Sequence, residues 1–179
     1  MNKKILVISS SPRRGGNSDL LCDQFVLGAN EVGNQVEKIF LKDKNINYCI
    51  GCGSCFNNKS GCVQKDDMTE ILEKMIVADV IVMATPVYFY TMCGQMKTFI
   101  DRLYARYTEI NNKDIYFIIT AAVNSKNALQ RTVEEFRGLL DCLNNVKEKA
   151  VIYGTGAWNI GDIKNSKVMI EAYELGKTI

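Results

Sequence analysis

Residues 79–84 read DVIVMA, one acid followed by an unbroken apolar run. A strand with one solvated face alternates apolar and polar residues. Continuous runs of this kind belong to strands covered on both faces, as in a parallel sheet between two helical layers. The rest of the chain falls into that frame. Lys4 to Ser9 (KILVIS) reads as a buried strand, Gln35 to Leu41 alternates as another, and Ile115 to Ala122 and Ala150 to Tyr153 add two more. Between them, apolar residues recur at helical spacing. One helix starts near Ser18, and a second carries Met68, Ile71, Leu72, Met75 and Ile76 behind Asp67 as a plausible cap. The others run through Met92, Met96, Phe99, Ile100 and Leu103, through Leu129, Phe136 and Leu143, and over Asn165 to Gly176. Five strands alternating with five helices predict an α/β three-layer sandwich around a five-stranded parallel sheet. With 179 residues, the expectation is a single domain over residues 1–179.

Charge and composition narrow the function. The net charge is +2 and no basic run stands out, so neither nucleic acid nor an anionic membrane is an expected partner. The apolar stretch Ile5 to Ile8 is too short for a secretory leader, and no run approaches the roughly 18 apolar residues of a membrane span. A cytoplasmic protein is therefore expected. In a reducing compartment, clustered cysteines favour metal or redox work over structural disulfides. The chain has no histidine, which removes Ser-His and Cys-His nucleophiles and every histidine metal ligand.

In a parallel sheet, ligands bind beyond the carboxyl ends of the strands, at the point where strand order reverses. The loop after the first strand, Ser10 to Ser18, reads SSPRRGGNS and opens a helix. Hydroxyls, glycine-freed amides and a helix N-terminus make an anion site suited to a phosphate monoester. Arg13 or Arg14 can add a charge-assisted hydrogen bond. The loop is neither the dinucleotide G-x-G-x-x-G nor a P-loop, and its alternative is a solvated turn with an N-capping serine. The loop after the third strand, Thr85 to Thr91, reads TPVYFYT. A proline and three aromatics there suit an isoalloxazine ring, which needs stacking area and hydrogen bonds at its polar edge. Core packing or a subunit interface is the other use for Tyr88, Phe89 and Tyr90. Cys93, Met92 and Met96 read as helix packing.

Residues 49–62, CIGCGSCFNNKSGC, hold four of the seven cysteines. Cys49, Cys52 and Cys55 are spaced C-x2-C-x2-C, which lets three thiolates meet on one cuboidal cluster, with Cys62 to close it. The C-P ending of bacterial ferredoxins is absent, and zinc ligands usually come as two separated pairs. A loop without metal stays open as well. In it, Gly51 and Gly53 let the backbone approach the next layer, and the cysteines are buried small residues, free thiols or a regulatory disulfide.

SPRRGGNS, the later ATPVYFYTMCGQMKTFIDR and the spacing between them resemble the flavodoxin-like NAD(P)H-dependent FMN reductases, near the iron–sulfur flavoprotein branch. Specific motifs carry the resemblance from Lys4 to Arg102, and strand–helix rhythm alone carries it beyond. It implies that Ser11, Arg13, Asn17 and Ser18 grip the FMN phosphate and that Pro86, Val87, Tyr88 and Phe89 form the flavin pocket. It further implies NAD(P)H as donor, a small-molecule or protein electron acceptor, and a homodimer or homotetramer. In the iron–sulfur branch, Cys49, Cys52, Cys55 and Cys62 match the ligands of a 4Fe-4S cluster, and the protein becomes an electron carrier. Relatives often carry a TTGG-like turn where this chain has TAAVNS, Thr120 to Ser125, a departure on the flavin-edge side. A thiol- or metal-binding regulator without enzyme activity is the reading from another class.

Overall fold

The computed structural model describes residues 2–58 and 61–179. Along the chain run β1 (Lys4–Ser9), α1 (Asn17–Glu31), β2 (Gln35–Phe40), α2 (Ser54–Asn58), α3 (Met68–Val77) and β3 (Val80–Tyr88). They are followed by β4 (Thr91–Met92), α4 (Gly94–Arg102), β5 (Asp114–Thr120), α5 (Gln130–Leu140), β6 (Lys147–Gly154) and α6 (Lys167–Lys177). The sheet has the order β2-β1-β3-β5-β6 with every neighbouring pair parallel. The chain moves outward from β1 to β2, then crosses back to β3 and continues the other way. The reversal therefore lies between β1 and β3, where their loops part and leave a crevice.

The apolar run of β3 divides between the two faces. Val80, Val82 and Ala84 pack with Leu21 and Phe25 of α1 and Val168 and Ala172 of α6. Ile81 and Met83 pack with Met75 of α3, Met96 and Phe99 of α4, and Val133 and Phe136 of α5. All five strand residues are at most 1% exposed, so neither face could carry a polar alternation. The three-layer architecture expected from the sequence is present.

Its details depart in three places. A sixth strand, β4, pairs antiparallel with the end of β3 through Val87–Met92 and Tyr88–Thr91. Met92, read as the start of a helix, sits in β4 because the chain reverses at Phe89 and Tyr90, and α4 begins only at Gly94. Asp67 makes no side-chain cap to α3. Asp66 Oδ1 accepts the Met68 N–H instead at 3.2 Å, while Asp67 Oδ2 accepts the N–H of Asn45 at 2.7 Å. Finally, β6 begins at Lys147 rather than Ala150. It pairs with β5 on one side alone, so charged residues are tolerated at this edge.

Helices α1 and α6 meet at two glycines. A Cβ on Gly28 would lie 3.0 Å from the Tyr173 carbonyl carbon and 3.2 Å from the Lys177 amide nitrogen, and closer still to the Tyr173 oxygen. A Cβ on Gly176 would press likewise on the Phe25 carbonyl. The two helices thus touch backbone to backbone, which holds α1 and the loop before it firmly on the sheet. Among the described residues, no helix is long and apolar enough to cross a membrane.

Candidate functional site

A cavity of about 490 Å³ opens at the carboxyl edge of the sheet, at the β1/β3 crevice. Four loops line it: Ser11, Arg13 and Gly16 to Ser18 after β1, Pro86 to Tyr88 at the end of β3, Thr120 to Ala122 after β5, and Ala157 to Ile160 after β6.

The first loop is built from its own hydrogen bonds. Ser10 Oγ donates to the Ala84 carbonyl at 2.7 Å and ties the loop to β3. Ser11 Oγ donates to the Arg13 carbonyl at 2.8 Å and accepts the Arg13 N–H at 3.2 Å, closing a tight inner turn. Gly16 must lack a side chain, because its Cβ would stand 2.6 Å from Ser11 Oγ and 2.8 Å from the Arg13 carbonyl oxygen. Asp19, buried in the first turn of α1, accepts the Gly15 N–H at 2.9 Å and the Ser9 hydroxyl at 2.9 Å. Ser18 is 1% exposed and its hydroxyl has no partner among the described residues. A buried hydroxyl left unpaired costs about 1–3 kcal/mol unless something else supplies the bond. The unpaired hydroxyl and the amides of a helix N-terminus together are donors of the kind a phosphate monoester accepts from.

Asn17 lines the same cavity, but its side chain is already committed. Its Nδ2 donates to the Asn159 carbonyl at 2.8 Å, and its Oδ1 accepts the N–H of Gly161 at 3.1 Å and of Ile163 at 3.3 Å. The side chain latches the β6–α6 loop to the β1–α1 loop.

Pro86, Val87 and Tyr88 lie along the cavity wall; Phe89 does not, and is 99% exposed. Phe89 and Tyr90 occupy positive φ, 51° and 66°, as the two central residues of the β3–β4 hairpin. That geometry suits the strand twist but strains bulky residues by about 1–3 kcal/mol each. The turn carries Phe89 off the wall. Helix α5 holds the hairpin in place: Thr132 Oγ1 donates to the Tyr90 carbonyl at 3.2 Å, and Glu135 Oε2 accepts the Met92 N–H at 2.9 Å. Behind the wall, Cys93 is buried and its thiol donates to the Ser10 carbonyl at 3.3 Å, so it packs rather than ligates.

The atypical TAAVNS loop still reaches the cavity. The Ala121 N–H donates to the Gly154 carbonyl at 2.9 Å and the Ala157 N–H to the Ala121 carbonyl at 3.0 Å, joining two loops into one rim. That rim carries Trp158, which is 72% exposed and which sequence reasoning did not place at the site. Asp162 Oδ2 accepts the N–H groups of Trp158 and Asn159 at 2.9 and 2.6 Å. The available signal was the chain's one tryptophan, flanked by glycines in TGAWNIGD after the last strand.

The cysteine segment lies elsewhere. Cys49 and Cys52 are exposed, whereas Cys55 and Cys62 are half-buried and line a second cavity of about 900 Å³. Among the described residues, no three Cys, Asp or Glu side chains gather as a metal ion's ligands would. Gly51 has positive φ, 64°, and a Cβ there would meet nothing within 4 Å. The glycine therefore serves the turn, not the close approach expected of it.

A buried ion pair fastens this segment to α4. Arg102 donates from Nη1 to Asp66 Oδ2 at 2.6 Å and from Nη2 to Oδ1 at 2.9 Å, and Nη1 also reaches the Asn47 carbonyl at 2.6 Å. Burial alone would raise the Asp66 pKa, but the Arg102 hydrogen bonds and the N–H groups of Asn47 and Met68 outweigh it and carry it down to about 2. A depressed carboxylate pKa stabilises the fold above its ordinary value of 3.8, and that stabilisation is lost as pH falls through about 2. The thermal midpoint of the wild type should therefore fall more steeply through this window than that of Asp66→Asn. Parallel curves would refute the assignment.

A parallel sheet in this order, with a cavity at its switch point, defines a flavodoxin-like architecture. Residues 3–160 match the NADPH-dependent FMN reductase family, and the chain belongs to it. An iron-sulfur flavoprotein of Archaeoglobus fulgidus is 42% identical over 100 residues, covering 56% of this chain and 45% of that protein. One from Methanosarcina thermophila is 38% identical over 99 residues, covering 55% and 51%. The chain spans about half the length of the curated relatives it matches. Among solved structures, the NAD(P)H:quinone oxidoreductase of Methanothermobacter marburgensis superimposes with a TM-score of 0.75 at 16% identity, over 99% of this chain and 97% of that one. At that identity the likeness speaks for the fold.

Proposed function

We propose that this chain binds FMN in the 490 Å³ cavity and works as an NAD(P)H-dependent FMN oxidoreductase. The observation that carries the reading is the unpaired, buried Ser18 hydroxyl, set beside the α1 N-terminus and opposite an apolar wall. In this reading Ser18, the amides of Asn17 and Ser18, and Arg13 hold the phosphate. Pro86, Val87 and Tyr88 form one side of the ring pocket, and Trp158 stands on the opposite rim. When bound, FMN accepts hydride from NAD(P)H and returns electrons to an acceptor such as a quinone, a nitro or azo compound, a free flavin or a protein. The protein positions the ring and needs no general base of its own, so the lack of histidine is no obstacle. The exposed aromatics Phe89 and Tyr90 support a homodimer or homotetramer. The seven free thiols, three of them exposed, support a reducing cytoplasm.

The protein purified without oxygen should show flavin absorbance. Ser18→Ala should weaken FMN about tenfold or more, with the thermal midpoint unchanged, because the hydroxyl bonds nothing in the free protein. Unchanged FMN affinity would remove the phosphate-loop assignment. The cysteine spacing and the names of the relatives favour a second reading, an electron carrier with a cluster on Cys49, Cys52, Cys55 and Cys62. Iron and acid-labile sulfide assayed on the same sample decide it, about four irons per chain meaning a cluster. Flavin without iron leaves the cysteines as thiols.

A further inference from the structure

The phosphate cradle stands on a buried negative charge. Asp19 follows Ser18 directly, its side chain is 6% exposed, and both its oxygens are turned to the loop: Oδ2 to the Gly15 N–H and Oδ1 to the Ser9 hydroxyl. Its carboxylate organises the cradle, and it also opposes a phosphate, which carries about −1.5 to −2 near neutral pH. A like charge so poorly screened would work against the anion the loop is shaped to hold. Something must cancel it.

Lys38, on the edge strand β2, does so. Its Nζ lies 2.6 Å from Asp19 Oδ1 and 2.6 Å from Asp23 Oδ1, and it also reaches the Asp19 carbonyl at 3.3 Å. We propose that Lys38 is a positioning residue for the flavin phosphate: by neutralising Asp19 from behind, it allows one carboxylate to organise the loop without repelling the ligand. The proposal rests on the FMN reading of the cavity. Burial alone would lower the Lys38 pKa, but hydrogen bonds to Asp19 and Asp23 outweigh it and carry it upward, so the ammonium persists. Cys22, buried beside it, is pushed up to about 12 chiefly by burial and stays a neutral thiol. Arg14 and Lys44 line the same outer cavity, but Arg14 pairs with Asp43 and Lys44 with Glu70, which leaves Lys38 as the cation in contact with Asp19 among the described residues.

A counter-charge can be told from a structural prop by comparing FMN with riboflavin, which lacks the phosphate. Both are titrated onto the flavin-free protein by fluorescence, with circular dichroism confirming the fold of each variant. Lys38→Met should weaken FMN about tenfold or more and riboflavin less than about twofold, while Lys38→Arg should keep FMN within about threefold. In the Asp19→Asn background, where the opposing charge is gone, Lys38→Met should cost FMN less than about threefold. That arm also serves if the single variant folds poorly. Equal losses for FMN and riboflavin, or unchanged FMN binding by Lys38→Met, would overturn the proposal and leave the flavin site standing. A wild type that binds riboflavin as well as FMN would overturn the phosphate site and the proposal together.

Discussion

Gly28→Ala is expected to destabilise the fold by about 3 kcal/mol or more, since its methyl group has nowhere to go. The new Cβ would press on the Tyr173 carbonyl and stand 3.2 Å from the Lys177 amide nitrogen. Those atoms are helix backbone, so no side-chain rotation relieves the contact, and α1 and α6 must separate. Separation then loosens Leu21, Phe25, Val168 and Ala172, which pack together on that face of the sheet. Gly138→Ala is the control. It lies in α5 with nothing within 4 Å of its Cβ, and should stabilise the protein by about 0.5–1 kcal/mol through helix propensity alone. Urea denaturation of the two variants beside the wild type reads both effects. A loss under about 1 kcal/mol for Gly28→Ala would mean that the helices are not in backbone contact.

Gly16→Ala should do the opposite: little change in stability, and FMN affinity lower by about a hundredfold. Gly16 has φ −66° and ψ 164°, an extended conformation that alanine adopts freely, so the substitution brings no backbone strain. What it brings is volume. The methyl group would displace Ser11 Oγ and the Arg13 carbonyl, and with them the inner turn that aims the α1 amides and Ser18 at one point. Arg13 and Arg14 at the apex of the turn are exposed and leave it room to shift outward, so unfolding should move by less than about 1 kcal/mol while the converging geometry is lost. FMN titration and thermal melting on the same preparation separate the two. Affinity within about threefold of wild type would show that the cradle is not where the phosphate binds.

The chain announces its architecture because the relevant signals are local. An apolar run as dense as DVIVMA has one stable use, a strand between two layers, and stripes such as Met68, Ile71, Leu72 and Met75 state which helix face meets the sheet. The loop from Ser10 to Ser18, which lines the cavity, was legible for the same reason. Its serines, arginines and glycines sit within nine consecutive residues, and a strand-to-helix junction in a parallel sheet has a known place. Periodicity also has limits that the corrections mark. The two-residue β4 is too short to carry a pattern, and the charged start of β6 follows from its place at the sheet edge.

Distant contacts were decided by the tertiary structure alone. Asn17 carries the same amide wherever it stands. Only the arrival of Asn159, 142 positions away, commits that amide to a latch between two loops. Phe89 leaves the wall because of a turn whose two φ values no aromatic would choose in isolation. Trp158 joins the cavity lining because β6 ends beside β5, and of the four clustered cysteines two are exposed while Cys55 and Cys62 are half-buried beside a second cavity. Hydrophobic period and turn chemistry are properties of a few neighbouring residues, and the sequence determined those. Which polar groups find partners, and which, like the Ser18 hydroxyl, have none among the described residues, depends on packing between elements that meet only in the folded chain.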